Sequence, residues 1–277
     1  MKTIFVPVDF SKYSENALEV AADLAKKHGS RIILAHMLEI ANSYLTKDQQ
    51  QEVFNVMYYI KIADQHFKEL RKKEYLKGIE VVEVMKPYRI FSEINTIAAE
   101  HDSDLIVMGS HGATGIKEVF IGSNTEKVVR TADIPVLVIK ERSPDFHIDK
   151  AVFVTDFDDS NQDTFKRARK FFSYFDVEPK LLYINIPEKF MSTAEIKRNA
   201  HNFMSTAGID PSDFDKHVVF YADYTAERGV FNYCEEAKID AIAISTHGRK
   251  GLGHFFYGSV GEDVANHADV PVITFKI

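Results

Sequence analysis

The sequence predicts an α/β protein made of two tandem copies of one domain, each a parallel sheet with helices on both faces. Three observations carry that prediction. The chain has 277 residues, about twice the common domain size of roughly 100–150. Its apolar residues fall alternately into short β-branched runs and into stretches of helical period, the alternation that βα units produce. Finally, Asp104-Leu-Ile-Val-Met-Gly-Ser-His-Gly-Ala-Thr-Gly matches Asp240-Ala-Ile-Ala-Ile-Ser-Thr-His-Gly-Arg-Lys-Gly, and the match continues without a gap for more than thirty residues. Gly122-Ser123 falls on Gly258-Ser259, Glu126 on Glu262, and Ala132-Asp133-Ile134-Pro135-Val136 on Ala268-Asp269-Val270-Pro271-Val272. So long a match marks a duplicated domain rather than a short solenoid unit. A looser match sets Ile4-Phe5-Val6-Pro7-Val8-Asp9-Phe10 against Val152-Phe153-Val154-Thr155-Asp156-Phe157, with one residue missing from the second copy near Pro7. The polar, Pro-containing stretch Glu141–His147 separates the copies, giving expected domains 1–142 and 148–277.

Each element has its own warrant. Thr3–Val8 is a continuous apolar run, the signature of a strand buried on both faces. In the helix that follows, Ala17, Leu18, Ala21, Leu24 and Ala25 recur at helical spacing; Ser11 or Ser14 can cap its start and Gly29 its end. Arg31–Met37 is a second strand, and Gln49–Leu76 reads as one long helix with Phe54, Met57, Ile60, Ile62, Ala63 and Phe67 on its apolar side. Ile79–Met85 is a third strand, Ile90–Glu100 a helix, Leu105–Met108 a fourth strand, Thr125–Thr131 the core of a helix and Pro135–Ile139 a fifth strand. The second copy has a shorter helix around Thr193–Met204 and strands near Val218–Tyr221, Ala241–Ile244 and Val270–Phe275.

Composition removes several functions. Hydrophobic residues at 45% and charged residues at 27% are ordinary globular values. A net charge of −7 with no run of Lys and Arg speaks against nucleic-acid binding. Cys234 stands alone and reads as a small buried hydrophobe. No apolar stretch approaches the ~20 residues that span a bilayer, so the expectation is a cytoplasmic protein that does not engage membranes. The chain carries no G-x-x-x-x-G-K-[ST] loop, no G-x-G-x-x-G after its first strand, no H-E-x-x-H and no G-x-S-x-G. Kinase, dehydrogenase, zinc-protease and serine-hydrolase readings lose their main support.

Ligands of open parallel sheets lie beyond the carboxyl ends of the strands where strand order reverses, which directs attention to the loops after strands one and four. Asp9 follows strand one, with Asp156 in the second copy. Gly109-Ser-His-Gly112 follows strand four, then nine residues, then Gly122-Ser123 opening a helix. This is the chemistry of a phosphate cradle: glycines let backbone N–H groups approach an anion, and the helix start adds unpaired donors and a positive dipole end. Ser123 with Glu126, and Ser259 with Glu262, also fit a capping box, and the bland alternative is that serine caps its own helix while the glycines only make turns. His111 and His247 occupy equivalent loop positions and read as turn histidines, because no acid or cysteine at ligand spacing accompanies them. No metal site is expected in the protein itself.

The spacing Gly109-x2-Gly112-x9-Gly122-Ser123, with Pro-Val-Asp-Phe-Ser at 7–11 and a terminal Pro-Val-Leu-Val strand, resembles the universal stress protein family over nearly the whole of both halves. In the ATP-binding branch that resemblance implies a Rossmann-like domain of the adenine nucleotide alpha hydrolase type, five-stranded and of order 3-2-1-4-5. It implies Pro7, Val8 and Asp9 at the base and sugar, Met37 beside the adenine, and Met108, Gly109, Ser110, His111 and Gly112 at ribose and phosphates. Gly122, Ser123, Asn124 and Thr125 would meet the phosphates. In the second copy Asp156, Gly248, Gly258 and Ser259 remain, but Ser245 replaces the first glycine. If that position needs positive φ or close ligand approach, the serine side chain obstructs it. The implied cofactor is ATP, with Mg2+ arriving on the triphosphate. The implied role is a nucleotide-dependent stress-response regulator rather than an enzyme of rapid turnover, with slow hydrolysis or self-phosphorylation left open. An adenylating enzyme of the same fold and a dimerisation scaffold without nucleotide are the competing readings. The resemblance also implies pairing of the two copies through their fifth strands and a further homodimer.

Overall fold

The computed structural model describes residues 1–39, 49–88, 93–111, 122–246 and 268–277. In the first copy β1 (Thr3–Pro7) buries Ile4, Phe5 and Val6 completely, as a strand covered on both faces must. Ser11 then caps α1 (Lys12–His28) by accepting from the Ser14 N–H, and Gly29 closes it at φ 65 with its N–H on the Ala25 carbonyl. Ala17, Leu18, Ala21, Leu24 and Ala25 are buried along its inner stripe. The chain continues through β2 (Arg31–Glu39), α2 (Gln49–Arg71), β3 (Val81–Tyr88), α3 (Glu93–Glu100), β4 (Leu105–Gly109), α4 (Ser123–Thr131) and β5 (Val136–Ile139).

The expected helix through Leu76 stops at Arg71. The N–H groups of Lys72 and Lys73 bond back three residues, to Glu69 and Leu70, which tightens the last turn, and Glu74–Leu76 forms a separate 3-10 turn. The stripe of α2 differs too. Ala63, Phe67 and Leu70 are buried, whereas Met57 and Ile60, expected on the apolar side, are exposed together with Tyr58 and Tyr59.

The second copy repeats the order with β6 (Ala151–Val154), α5 (Gln162–Phe172), β7 (Lys180–Asn185), α6 (Thr193–Thr206), the short α7 (Phe214–His217), β8 (Val218–Ala222), α8 (Ala226–Ala237), β9 (Ala241–Thr246) and β10 (Val272–Lys276). Strand order is β3-β2-β1-β4-β5 in the first copy and β8-β7-β6-β9-β10 in the second, which is 3-2-1-4-5 twice. Pairing is parallel between β1 and both β2 and β4, and between β6 and both β7 and β9. Strand order reverses beside β1 and β6, and right-handed crossovers then put the helices before and after that reversal on opposite faces.

The registers correct the sequence alignment of the two copies. Ile4 faces Leu105 and Phe5 faces Ile106, while Ala151 faces Ala241 and Val152 faces Ile242. Since Leu105 and Ile106 match Ala241 and Ile242, Ile4 corresponds to Ala151, Pro7 to Val154 and Val8 to Thr155, with no residue missing. The side chains at Thr155 and Val154 differ enough from Val8 and Pro7 to hide this register in the sequence. An aspartate does the same work in both copies: Asp104 Oδ2 accepts from the N–H groups of Lys2 and Thr3, and Asp240 Oδ2 from those of Asp149 and Lys150.

The described residues fall into two compact units, one holding 1–39, 49–88, 93–111, 122–128 and 138–146, the other 129–137, 147–246 and 268–277. Among them no helix is long and apolar enough to cross a membrane.

Candidate functional site at the carboxyl ends of the strands

In the first copy, the loop after β1 is fastened to β2. Val8 donates its N–H to the Ala35 carbonyl at 2.8 Å, and its own carbonyl accepts from His36 Nδ1 at 2.7 Å. Asp9 follows, exposed, with Oδ1 accepting from the Ser11 N–H at 3.0 Å. Met37 stands next along β2, half-buried. Burial holds the imidazole of His36 below its ordinary pKa, against the opposing effects of the Val8 carbonyl and the Asp9 charge.

The loop after β4 is organised by Ser110, which is fully buried. Its N–H donates to the Ile139 carbonyl at 2.9 Å, and its carbonyl accepts from the Gly122 N–H at 2.8 Å. Thr125 turns its hydroxyl inward onto the Gly109 carbonyl at 2.8 Å. These bonds bring Gly109, Ser110, His111 and the start of α4 together, although the segment joining them is long. Gly122, not Ser123, is the N-cap. Its carbonyl accepts from the Glu126 N–H at 3.1 Å and α4 begins at Ser123, so the expected Ser123 cap gives way to a glycine cap, which helix starts accept readily. Ser123 and Asn124 are exposed in the first turn, where N–H groups lack partners within the helix and the dipole is positive. His111 makes the turn contact expected of it: Nδ1 lies 2.8 Å from Ser110 Oγ, and the ring sits 5.1 Å from that of Tyr13. Gly112, His247, Gly248, Gly258, Ser259 and Glu262 lie outside the described residues. Among the described residues no cluster of three His, Cys, Asp or Glu could hold a metal ion.

Why the first glycine is a glycine is settled by the helix beside it. Gly109 is not among the positive-φ residues, and a β-carbon there would stand 2.7 Å from the carbonyl carbon and oxygen of Tyr13 in the first turn of α1. In the second copy α5 starts at Gln162, six residues after Asp156, whereas α1 starts three residues after Asp9; a 3-10 turn at Asp159–Asn161 fills the difference. Ser245 fits there. Its hydroxyl lies 3.0 Å from that of Thr164 on α5, where the first copy has Ala17. Of the two conditions under which Ser245 would obstruct the site, a positive φ is absent, and its hydroxyl is turned to α5.

The second copy forms a partly open cleft of about 260 Å³ lined by residues that include Asp156, Tyr183, Ile184, Lys189, Met191 and Asn199. Ile184 occupies the position of Met37, since Tyr183 follows Leu182 as His36 follows Ala35 in the matching registers. Asp156 Oδ1 accepts from the Asp158 N–H at 3.1 Å and from Asn161 Nδ2 at 2.9 Å. Asn185 holds the loop that carries Lys189 by bonding both backbone groups of Met191 at 3.0 Å. Gly229 lets α8 approach β7, for a β-carbon there would meet Ile184 Cγ2 at 2.5 Å. Burial, with a smaller contribution from the Asp156 charge, raises the pKa of Tyr183. Cys234 on α8 is buried, its thiol pushed up to about 12 by burial.

Two residues beside the candidate site were not singled out in the sequence: Phe10 and Phe157. Each directly follows the loop aspartate and each has φ 62. The recurrence of Asp-Phe at 9–10 and 156–157 was the available signal, but a dipeptide carries no indication of backbone hand.

Comparison with known proteins agrees with this architecture. The family model described as the universal stress protein family matches residues 1–140 and again 147–276. A universal stress protein of Methanocaldococcus jannaschii is 28% identical over 161 residues, covering 51% of this chain and 96% of its own. One from Synechocystis is 22% identical over 302 residues and spans 100% of both chains. The crystal structure of a universal stress protein from Archaeoglobus fulgidus superposes with a TM-score of 0.72 at 21% identity, covering 99% of this chain and 98% of that one. With the family pattern matched once in each half and the same strand order built twice, the chain belongs to the universal stress protein family.

Proposed function

We propose that the protein is an ATP-binding regulator in which adenine-nucleotide occupancy biases the state of each domain, with chemistry at the phosphates slow or absent. The observation that carries this reading is the union of the loop after β4 with the start of α4. Ser110 fastens Gly122 to the strand end, and the exposed first turn at Ser123 and Asn124 supplies donors suited to a polyphosphate. Asp9 and the half-buried Met37 stand at the neighbouring strand ends with the chemistry to meet a base and sugar. A divalent ion would come with the triphosphate and keep most of its waters. In the second copy the cleft at Asp156 and Ile184 has room for a base and sugar, and the inward bond of Ser245 leaves it compatible with a ligand. A cytoplasmic location and pairing of domains belong to the same reading, on the strength of the family resemblance.

The test is to quantify, by mass spectrometry, nucleotide released on denaturing freshly purified protein, and then ATP binding by calorimetry. About two nucleotides per chain are expected at saturation, and Gly122→Val, which keeps the N–H bonded to Ser110 but crowds the approach to α4, should reduce that to about one. An unchanged stoichiometry and affinity in that variant would remove the phosphate assignment. No binding to the wild-type protein at millimolar ATP with magnesium would favour a scaffold without nucleotide.

A further inference from the structure

We infer that Phe10 and Phe157 are positioning residues: aromatic neighbours clamp each ring, the clamp holds the residue in a left-handed conformation, and that conformation sets the carboxylate of Asp9 or Asp156. Left-handed backbone is common for glycine and tolerated by aspartate, but for a bulky side chain it is an outlier that persists only where surrounding structure imposes it. Among the described residues the other non-glycine cases are Asp102, Asp145, Asp176 and Lys238. The two phenylalanines stand apart as large apolar residues, and they occupy the same position in the two copies at the same φ.

The neighbours that impose the conformation differ in chemistry and agree in placement. Phe10 lies between His36, with ring centroids 4.4 Å apart, and His66, at 4.7 Å, while Phe67 meets it edge-on at 5.4 Å. Phe157 stacks on Tyr183 at 5.5 Å and meets Phe203 edge-on at 6.0 Å. In each copy the clamping rings come from the second strand and from the helix after it. The aspartate is arranged in the same way twice, by a bond that is not peculiar to a left-handed neighbour, for Ser160 and Ser212 donate to Oδ1 of Asp158 and Asp210 across Asp159 and Pro211, neither at positive φ. With residue 10 or 157 turned left-handed, the N–H two residues beyond the aspartate returns to its Oδ1, from Ser11 at 3.0 Å and from Asp158 at 3.1 Å. Filling a core does not call for this backbone: Phe5, Phe165 and Phe172 are fully buried without positive φ. The functional consequence rests on the nucleotide reading, in which Asp9 and Asp156 meet the ligand; the positioning itself does not.

Phe10→Gly and Phe10→Ala separate positioning from space filling. Both remove the ring; alanine keeps slightly more apolar volume, but only glycine adopts the left-handed backbone without penalty. Both variants should bind ATP in the first copy more weakly than wild type, with glycine tighter than alanine by about fivefold, the ratio that a conformational penalty of about 1 kcal/mol gives. Phe10→Tyr, which keeps the ring, should stay close to wild type. A ligand-free readout accompanies these: the Ser11 amide resonance should follow the Asp9 carboxylate through its titration in wild type and Phe10→Tyr, and lose that response in Phe10→Ala. Alanine binding as well as glycine, or a Ser11 amide that still follows the carboxylate in Phe10→Ala, would overturn the inference. If wild-type protein binds no ATP, the nucleotide reading fails and the amide titration still decides the positioning. If Phe10→Ala does not fold, the same pair at Phe157, read at the Asp158 amide, decides it.

Discussion

A β-carbon at residue 109 would press on the backbone of Tyr13 at 2.7 Å, and backbone in the first turn of a helix gives way less easily than the end of a flexible side chain. Gly109→Ala is therefore expected to destabilise the protein by about 1–3 kcal/mol, the usual cost of overpacking. Ser245→Gly should cost less, about 0.5–1.5 kcal/mol for the bond to Thr164, and should leave nucleotide affinity in the second copy unchanged. Chemical denaturation of the two variants checks the order. The sequence showed that these positions match and that their residues differ, but the reason lay in where α1 and α5 begin, which a strand motif does not encode. At His36 the environment makes a pH-dependent contribution. Its folded pKa lies below the ordinary 6.5 because burial disfavours the imidazolium. The unfolded chain then takes up more protons as the pH falls below about 6.5, so the stability from a neutral His36 is present above that value and is lost on acidification through the folded pKa. His36→Tyr, the residue the second copy uses at Tyr183, should reduce the fall in Tm between about pH 7.5 and pH 5.5 without abolishing it, because burial also lowers the pKa of His28. An identical pH slope in the variant would show that His36 contributes nothing measurable.

At the scale of elements, existence and type were legible from periodicity, while ends and faces were less so. α1 was readable throughout because Ser11 and Gly29 punctuate it and its apolar stripe is complete. α2 was not. Its apolar residues are too numerous to define one face, and the sheet beneath it determines that Ala63, Phe67 and Leu70 are covered while Met57, Tyr58, Tyr59 and Ile60 are exposed. Burial of the carboxyl-terminal half predicts a gradient of local stability along one helix. Amide hydrogen exchange should be faster at 57–60 than at 63–70, and uniform protection across both stretches would mean that the exposed turn is held by something more than its own backbone bonds. The start of α4 follows the same rule. Gly122-Ser123 announced a helix, but which residue caps it was decided by the bond from Gly122 to Ser110.

For the molecule as a whole, the duplication leads to an expected nucleotide stoichiometry of two rather than one. Both copies carry the aspartate, the left-handed phenylalanine and a bonded loop at the same strand end, and the serine that replaces the first glycine, Ser245, bonds to its helix. The sequence by itself determined the two-domain α/β plan, because strand and helix periods and a long gap-free repeat are local properties that a single chain displays. It also located the loops after the first and fourth strands, since strand order in such sheets directs ligands to that edge. Only the tertiary structure decided the true register between the copies, the hand of Phe10 and Phe157, the reason for Gly109 and the fastening of Gly122. Each of these depends on a neighbour distant in sequence: Leu105 opposite Ile4, His36 and Phe67 around Phe10, Tyr13 against Gly109, Ser110 against Gly122. A one-dimensional pattern specifies which side chains are available, whereas the packing of elements determines which of them meet.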